Sequence, residues 1–123
     1  MNLAIIGLGR IGRIHAENIN TLPGINLVAV SDINEVVAND LATTFGCLAL
    51  SVSEIMASKN IQGVVICSPT PTHTELIKLG SKYGKAIFCE KPIDLSVTQV
   101  KKCLKFLKNS NSFLMIGFNR RFD

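Results

Sequence analysis

Three glycines near the start of the chain have the spacing of a phosphate-binding turn. The segment Gly7-Leu8-Gly9-Arg10-Ile11-Gly12 follows a short strand-like run and precedes a segment compatible with a helix. In such a turn the first glycine permits a tight bend, the second admits a diphosphate close to the backbone, and the third lets the helix pack on the strand. The pattern predicts that this segment binds the diphosphate of a dinucleotide at the start of the helix. A glycine turn with a purely structural role is the alternative.

An acidic side chain about 20 residues beyond the third glycine is placed to bind a ribose. Asp32 ends the second strand-like run and can accept hydrogen bonds from both hydroxyls of an adenosine ribose. Its negative charge would repel a 2′-phosphate, and no arginine follows it, since Ile33 and Asn34 are the next residues. The sequence therefore predicts NAD as the cofactor in preference to NADP. Asp32 could also cap the following helix, and the two roles are compatible.

A loop rich in proline and hydroxyl groups follows the fourth predicted strand. In Ser68-Pro69-Thr70-Pro71-Thr72-His73 the two prolines stiffen the backbone, and the hydroxyls can reach a nicotinamide ribose or cap the next helix. We expect a threonine to take the capping role. His73 can hold the loop in place or carry a proton, and the first role is favoured. The predicted cofactor site includes four residues of this loop, which are Ser68, Pro69, Thr70 and His73.

The tripeptide Glu90-Lys91-Pro92 follows the fifth predicted strand and is the second sign of chemistry in the sequence. A charged pair directly after a buried strand is costly unless both groups have partners. A lysine held out of water beside an oxidised nicotinamide releases its proton more readily and can exchange it with a substrate hydroxyl. Pro92 fixes the turn, and the sequence leaves open whether the Lys91-Pro92 bond is cis. A surface turn with an ordinary ion pair is the alternative.

Strand-like and helix-like segments alternate along the whole chain, which is typical of a parallel sheet covered by helices on both faces. Because crossovers between parallel strands are right-handed and the first turn binds phosphate, we predict a Rossmann-type, doubly wound α/β fold of three layers with strand order 3-2-1-4-5-6. The polar residues named above would converge at the carboxyl ends of the strands. Six strands are predicted at Leu3–Ile6, Leu27–Val30, Cys47–Leu50, Gly63–Cys67, Ala86–Cys89 and Phe113–Gly117. Five helices are predicted at Ile11–Leu22, Glu35–Phe45, Ser53–Ala57, Thr72–Tyr83 and Ser96–Lys108.

Length and composition limit the classes of protein to which the chain can belong. With 123 residues, 47% hydrophobic residues and 18% charged residues, the sequence fits one compact domain and excludes a disordered chain. No apolar run is long enough to cross a bilayer, and the first residues do not resemble a leader peptide, so we expect a cytoplasmic protein that binds no membrane. The four cysteines lack C-x-x-C spacing and histidine neighbours, so we expect buried thiols and neither a disulfide nor a metal site.

A lysine-rich helix raises the question of nucleic-acid binding, because the net charge is +4 and the pI is about 9.0. The fifth predicted helix carries apolar residues at helical spacing and lysines on a different arc, namely Val97, Val100, Leu104 and Leu107 against Lys101, Lys102, Lys105 and Lys108. The chain has no nucleic-acid-binding motif. The lysines are therefore predicted to form a solvated face, and no nucleic-acid partner is expected.

Together these motifs resemble those of the glucose–fructose oxidoreductase, inositol dehydrogenase and rhizopine-catabolism family, called Gfo/Idh/MocA. The resemblance covers essentially the whole chain. Residues 7–15, from Gly7 to His15, are similar to the family's opening turn, residues 68–73 to its fourth-strand loop, and Glu90-Lys91-Pro92 to its signature tripeptide. Residues 90–95 and 117–123 are most similar to the inositol 2-dehydrogenase branch.

The resemblance implies an enzyme that transfers a hydride between a polyol or sugar hydroxyl and NAD. It implies that Lys91 is catalytic and contacts the substrate hydroxyl and the nicotinamide ribose, that Glu90 orients the cofactor, and that Arg120 lies near the substrate. It also implies a C-terminal domain, absent from this chain, that completes the substrate pocket and forms the homo-oligomer interface. The chain alone is then expected to bind NAD with negligible turnover. A non-catalytic module that binds or senses a dinucleotide is the alternative function.

Overall fold

Six strands form one sheet in residues 1–117, the part of the chain that the computed structural model describes. The strands are β1 (Asn2–Ile6), β2 (Asn26–Ser31), β3 (Leu48–Ala49), β4 (Gly63–Ile66), β5 (Ala86–Glu90) and β6 (Leu114–Gly117). Neighbouring strands pair in parallel, in the order β3-β2-β1-β4-β5-β6. The predicted strand order is therefore confirmed, and the carboxyl ends of the strands share one edge of the sheet.

Helices cover both faces of the sheet. They are α1 (Arg10–Thr21), α2 (Glu35–Phe45), α3 (Val52–Ala57), α4 (His73–Lys82) and α5 (Val97–Lys108), and a 3₁₀ turn at Thr70–Thr72 precedes α4. Ala16 of α1 and Ala38 of α2 belong to the core on one face, whereas Ile55, Ile77 and Leu107 carry α3, α4 and α5 onto the other. The predicted three-layer, doubly wound α/β fold is confirmed. Within residues 1–117, none of these helices has the length and apolar character to cross a membrane.

Alternate residues of the central strands face the two cores, which explains why these strands are apolar throughout. In β1, Ile5 joins the core under α1 and α2, whereas Ile6 joins the core under α3, α4 and α5. Val65 and Val64 of β4 divide between the two cores in the same way. All four side chains are buried, and burial of a side chain of this size contributes about 1.5–3 kcal/mol to stability.

The observed elements differ from the predicted ones at their ends. The edge strand β3 has only two residues, because it pairs with β2 alone at Leu48 and Ala49. Strand β5 continues through Glu90, whose partner in β6 is Gly117. Helix α4 begins at His73 rather than at Thr72, because the prolines before it lack the N–H groups of a regular helix and the segment forms a 3₁₀ turn.

The lysine-rich helix α5 turns a different apolar stripe to the core than the sequence predicts. Cys103 and Leu107 are its buried residues, whereas Val97 and Leu104 are 69% and 47% exposed. A cysteine is small and apolar enough to fill the position one turn before Leu107. The lysines of α5 are exposed, as expected for a solvated face. The predicted stripe is therefore correct at Leu107 and wrong at Val97 and Leu104.

A buried lysine lies at the edge of the sheet opposite the strand carboxyl ends. Lys85 directly precedes β5 and is 6% exposed. Its Nζ donates hydrogen bonds to the carbonyl oxygens of Ser58 and Ile61 at 2.5 and 2.6 Å. Burial lowers the pKa of the Lys85 ammonium below its usual value. The side chain thereby holds the connection between α3 and β4 against the start of β5.

We expect Lys85→Met to destabilise the fold by about 1–3 kcal/mol, because two carbonyl oxygens would lose their donor in a place closed to water. Lys101→Met is the matched control. Lys101 is exposed on α5, and its replacement should change the free energy of unfolding by less than about 0.5 kcal/mol. Urea unfolding followed by circular dichroism measures both variants. Equal stabilities would show that the Lys85 contacts contribute nothing.

Candidate cofactor-binding site

The glycine turn between β1 and α1 leaves no space for side chains at its first and third glycines. Gly7 has a φ of +95°, and a Cβ atom there would lie 2.6 Å from the carbonyl carbon of Cys67. A Cβ atom on Gly12 would overlap the carbonyl oxygen of Gly7. At Gly9, by contrast, no atom of the described residues lies within 4 Å of such a Cβ. The turn is therefore closed towards the strand ends and open at Gly9, as a surface for a diphosphate requires.

The N-terminus of α1 is suited to an anion. Its N-cap residue is Gly9, no side chain of the described residues caps it, and its first turn carries no acidic residue. Helices α2, α3 and α5 differ from α1 in this respect. Their N-cap side chains accept hydrogen bonds from N–H groups of the first turn, and these N-cap residues are Asn34, Ser51 and Ser96, respectively. The N–H groups and the positive dipole end of α1 are thus suited to bind a diphosphate.

The other residues of the turn differ in exposure. Leu8 is buried in the core beneath α1 and faces the turn with its backbone. Its carbonyl oxygen accepts a hydrogen bond from Arg13 Nε at 3.2 Å. Arg10 is exposed and Ile11 is half-buried at the first turn of α1. The turn therefore offers backbone groups and the exposed Arg10 side chain to a ligand.

Asp32 ties the end of β2 to the glycine turn. Its Oδ2 accepts a hydrogen bond from the Leu8 N–H at 2.7 Å, and its Oδ1 accepts one from the Asn34 N–H at 2.9 Å. A carboxylate has about four acceptor positions, so these two bonds leave capacity for ribose hydroxyls. The N-cap of α2 is Asn34, which accepts hydrogen bonds from the N–H groups of Val36 and Val37. The alternative in which Asp32 caps this helix is therefore wrong.

His73 connects the loop after β4 to the turn after β5. Its ring is 2% exposed, with Nδ1 2.7 Å from the Pro92 carbonyl oxygen and Nε2 2.7 Å from the Ser68 carbonyl oxygen. Both partners are carbonyl oxygens, which only accept, so a ring nitrogen that carries a hydrogen donates it to one of them. This geometry favours the loop-holding role of His73 over proton transfer. It also leaves neither ring nitrogen free to contact a cofactor.

The hydroxyls of the loop after β4 bond to one another and to the loop backbone. Thr72 Oγ1 donates to the Pro69 carbonyl oxygen at 2.6 Å and lies 2.6 Å from Ser68 Oγ. Thr72 is the N-cap residue of α4, yet its side-chain oxygen accepts no hydrogen bond from an N–H group of the first turn within residues 1–117. The predicted threonine cap is therefore wrong. Ser68 packs directly against Gly7, which places this loop, with the exposed Pro69 and the half-buried Thr70, beside the glycine turn.

Glu90 is buried against a partner from α1. His15 Nε2 lies 2.6 Å from Glu90 Oε1, and the two side chains are 24% and 9% exposed. The His15 ring packs edge-on against Phe88, with ring centroids 5.2 Å apart. A Cβ atom on Gly117 would lie 3.1 Å from Glu90 Oε1 and 2.8 Å from the Phe88 ring, so Gly117 provides room for this arrangement.

Sequence reasoning assigns no role to His15, although its ring is the partner of the buried Glu90 carboxylate. Two features of the sequence point to such a contact. A buried acid at the end of a strand requires a partner, and His15 lies on the helix that starts at the predicted diphosphate turn. Only the folded structure shows that α1 brings this ring to β5.

Lys91 follows Glu90 but is exposed. The described part of the chain therefore does not supply the water-free surroundings that the sequence predicts for this lysine. The Lys91-Pro92 peptide bond is cis, which the sequence leaves open. Arg120, which the family resemblance places near the substrate, lies outside the described residues.

Comparison with known protein families identifies the family to which this fold and site belong. A profile of the Gfo/Idh/MocA family, described as an oxidoreductase family with an NAD-binding Rossmann fold, matches residues 1–118. The chain belongs to this family. NAD is accordingly the cofactor of its fold, in agreement with the glycine turn and Asp32.

Several Gfo/Idh/MocA relatives match the chain over its full length. Inositol 2-dehydrogenase of Rhizobium meliloti (strain 1021) is 44% identical over 123 residues, which are 37% of that protein. Myo-inositol 2-dehydrogenase of Thermotoga maritima is 38% identical over 125 residues, again 37% of its length. The crystal structure of scyllo-inositol dehydrogenase from Lactobacillus casei with bound NAD(H) and scyllo-inositol has a TM-score of 0.92 at 29% identity, and this chain covers 37% of it. The chain thus spans little more than a third of the length of these relatives.

Two thiols near the cofactor edge of this Gfo/Idh/MocA chain are held in their protonated form. Burial raises the pKa of Cys67 to about 12, and the nearby Glu90 and Cys89 add to the shift. Burial likewise raises the pKa of Cys89 to about 12, with Glu90 and Cys103 adding to it. The four cysteines are free, and no cluster of three or more potential metal ligands exists among residues 1–117. Cys67 and Cys89 are therefore packing groups rather than nucleophiles.

We expect the fold to lose stability as the pH rises from 9 towards 12. A thiol whose pKa is raised by folding from 9.0 to about 12 stabilises the fold fully below pH 9, and this contribution is lost as the unfolded chain ionises. At about pH 11 the loss is on the order of 2 kcal/mol per thiol. The lowered pKa of Lys85 has the opposite sign and offsets part of this loss.

Urea unfolding of the wild type and of Cys67→Ala between about pH 8 and about pH 11 measures this dependence. The variant lacks one of the two thiols, so its stability should fall less steeply with pH. Parallel curves for the two proteins would contradict the assignment of the alkaline loss to Cys67.

Proposed function

We propose that this chain is the NAD-binding part of an oxidoreductase that transfers a hydride between an inositol-like polyol and NAD. The observation that carries the proposal is the meeting of the glycine turn, Asp32 and Glu90-Lys91-Pro92 at one edge of the sheet. In doubly wound folds the ligand lies at the carboxyl ends of the strands, which is this edge. The identities of 44% and 38% to two inositol dehydrogenases support the substrate class.

Each end of the dinucleotide has its own group of residues. The N–H groups at the start of α1 bind the diphosphate, and Asp32 accepts hydrogen bonds from the adenosine ribose. Residues Ser68 to Thr70 and the tripeptide after β5 border the nicotinamide half. NAD, when bound, supplies the hydride acceptor. The protein has to orient the cofactor and manage the proton.

Lys91 takes up the proton of the substrate hydroxyl. The carbon atom that carries this hydroxyl gives a hydride to NAD, so that a ketone forms. Glu90, held by His15, keeps the turn that carries Lys91 beside the cofactor. Arg120 contributes to the substrate side. A C-terminal domain beyond this chain completes the polyol pocket, removes Lys91 from water and forms the homo-oligomer interface. Two observations support a second domain with these roles. Lys91 is exposed, and the chain covers only 37% of the length of the Rhizobium meliloti relative.

We also propose the cytoplasm as the location of the protein. Its four cysteines are free, and unpaired thiols are typical of reducing compartments.

Calorimetry of the purified chain with NADH tests the cofactor assignment. We expect saturable binding at or below about 1 mM NADH, with negligible inositol-dependent NADH formation by the chain alone. A chain with a native circular dichroism spectrum that binds no NADH would refute the assignment.

A second experiment tests the catalytic role. Addition of the separately expressed C-terminal domain of a relative to this chain should produce inositol-dependent NADH formation. NADH binding without any activity in that mixture would favour a non-catalytic sensing module instead.

A further inference from the structure

The chain contains two histidines, and both contact the tripeptide that carries Lys91. His15 reaches the Glu90 carboxylate from α1 at 2.6 Å. His73 reaches the Pro92 carbonyl oxygen from the start of α4 at 2.7 Å. Lys91 thus lies between two residues that are each anchored by an imidazole. Neither contact involves the groups that would bind the diphosphate or the adenosine ribose.

The two imidazoles join the tripeptide to different parts of the cofactor edge. His15 belongs to the helix whose N-terminus is the diphosphate site, so its bond fixes Glu90 relative to that site. His73 contacts the Ser68 carbonyl oxygen with its second ring nitrogen, so it fixes Pro92 relative to the loop after β4. Both anchors are shielded from water, since His73 and Glu90 are 2% and 7% exposed. The backbone of Lys91 is thereby held from both sides.

We propose that His15 and His73 form a two-histidine clamp that positions Lys91 for the nicotinamide half of NAD. Both are positioning residues, because they act through Glu90 and Pro92 and do not touch the cofactor or the substrate themselves. Small errors in the placement of a reacting group reduce its effectiveness strongly, so a lysine on an exposed turn needs such support. The inference rests on the proposed function, since it assigns Lys91 to the nicotinamide side of the site.

The clamp predicts different effects on two ligands. ADP carries the adenosine and diphosphate groups and tests the glycine turn and Asp32. NADH carries in addition the nicotinamide riboside that Lys91 would contact. Loss of the clamp should therefore weaken NADH binding and leave ADP binding unchanged. A general loss of structure would weaken both.

Matched substitutions separate the hydrogen bonds from the packing of the rings. His15→Phe keeps a ring against Phe88 but has no donor for Glu90, whereas His15→Gln keeps a donor close to the position of Nε2. His73→Asn keeps a donor close to Nδ1, which faces Pro92, whereas His73→Gln keeps one close to Nε2, which faces Ser68.

Titration of each variant with NADH and with ADP, at one ionic strength, provides the test. His15→Phe and His73→Gln should bind NADH about tenfold more weakly than the wild type, with ADP affinity within about twofold. His15→Gln and His73→Asn should retain most of the NADH affinity. In a Lys91→Met background the effect of His15→Phe on NADH should largely disappear, because His15 acts through Lys91.

Three outcomes would overturn the clamp. These are equal losses for NADH and ADP, unchanged NADH affinity in His15→Phe, and an undiminished effect of His15→Phe in the Lys91→Met background. Binding of neither ligand by the folded wild-type chain would overturn the proposed function and the clamp with it, so the two failures are distinguishable. Urea unfolding identifies variants that do not fold. If the buried His73 tolerates no change, the partly exposed His15 pair decides the question.

Discussion

Gly12→Ala is expected to destabilise the fold by about 3 kcal/mol and to abolish NADH binding. The added methyl group would overlap the carbonyl oxygen of Gly7 and lie 3.0 Å from its carbonyl carbon. Both are backbone atoms of the turn, so relief requires α1 to move away from the end of β1. That movement would pull the N–H groups of α1 away from the diphosphate and His15 away from Glu90. Urea unfolding and NADH titration measure the two losses.

Gly9→Ala is the matched control for this prediction. No described atom lies within 4 Å of the methyl group it would add, and the φ of −72° suits alanine. Its cost to the fold should stay below about 1 kcal/mol. The open space at Gly9 is where the diphosphate is proposed to approach, so NADH affinity should nevertheless fall at least about tenfold. Wild-type stability in Gly12→Ala, or wild-type NADH affinity in Gly9→Ala, would show that the turn is not packed or used in this way.

Asp32→Asn is expected to weaken NADH binding by about 10- to 100-fold, which corresponds to losing a charge-assisted hydrogen bond of 1.5–3 kcal/mol. The wild type should bind NADH more tightly than NADPH, because the carboxylate repels a 2′-phosphate. Removal of the charge should narrow this preference. Fluorescence titrations with both cofactors at constant ionic strength give the two affinities and their ratio.

Asp40→Asn controls for the change in net charge. Asp40 is exposed on α2, six residues beyond the N-cap Asn34, so its neutralisation should leave both affinities unchanged. A preference for NADH that is as strong in Asp32→Asn as in the wild type would refute the assignment of cofactor selectivity to this carboxylate.

The fold could be predicted from the sequence because its determinants are local. Short apolar runs that end at Gly7, Asp32 and Ser68 alternate with amphipathic segments, and the right-handed crossover then allows one strand order. Since that order fixes which strand ends are neighbours, it also brings the glycine turn and the tripeptide after β5 to one edge. The sequence could therefore predict which residues meet there.

The side-chain contacts at this edge of the sheet could not be predicted, because they depend on packing between elements that are distant in the sequence. His15 lies 75 residues before its partner Glu90, and no periodicity links the two. Asp32 proved to bond the backbone of the glycine turn, and Asn34 two positions later caps α2. On α5 the sequence predicts Leu104 in the core, yet the helix, which packs beside α4, buries Cys103 instead.

The bond between Asp32 and the Leu8 amide limits how the chain could be re-engineered to use NADP. A substitution that merely deletes the acidic group would admit the extra phosphate and at the same time leave the amide hydrogen of Leu8 without an acceptor. Cofactor preference and loop rigidity are thus coupled through one atom, Oδ2. A workable design would have to install a replacement acceptor for Leu8 before adding any cationic group to welcome the phosphate.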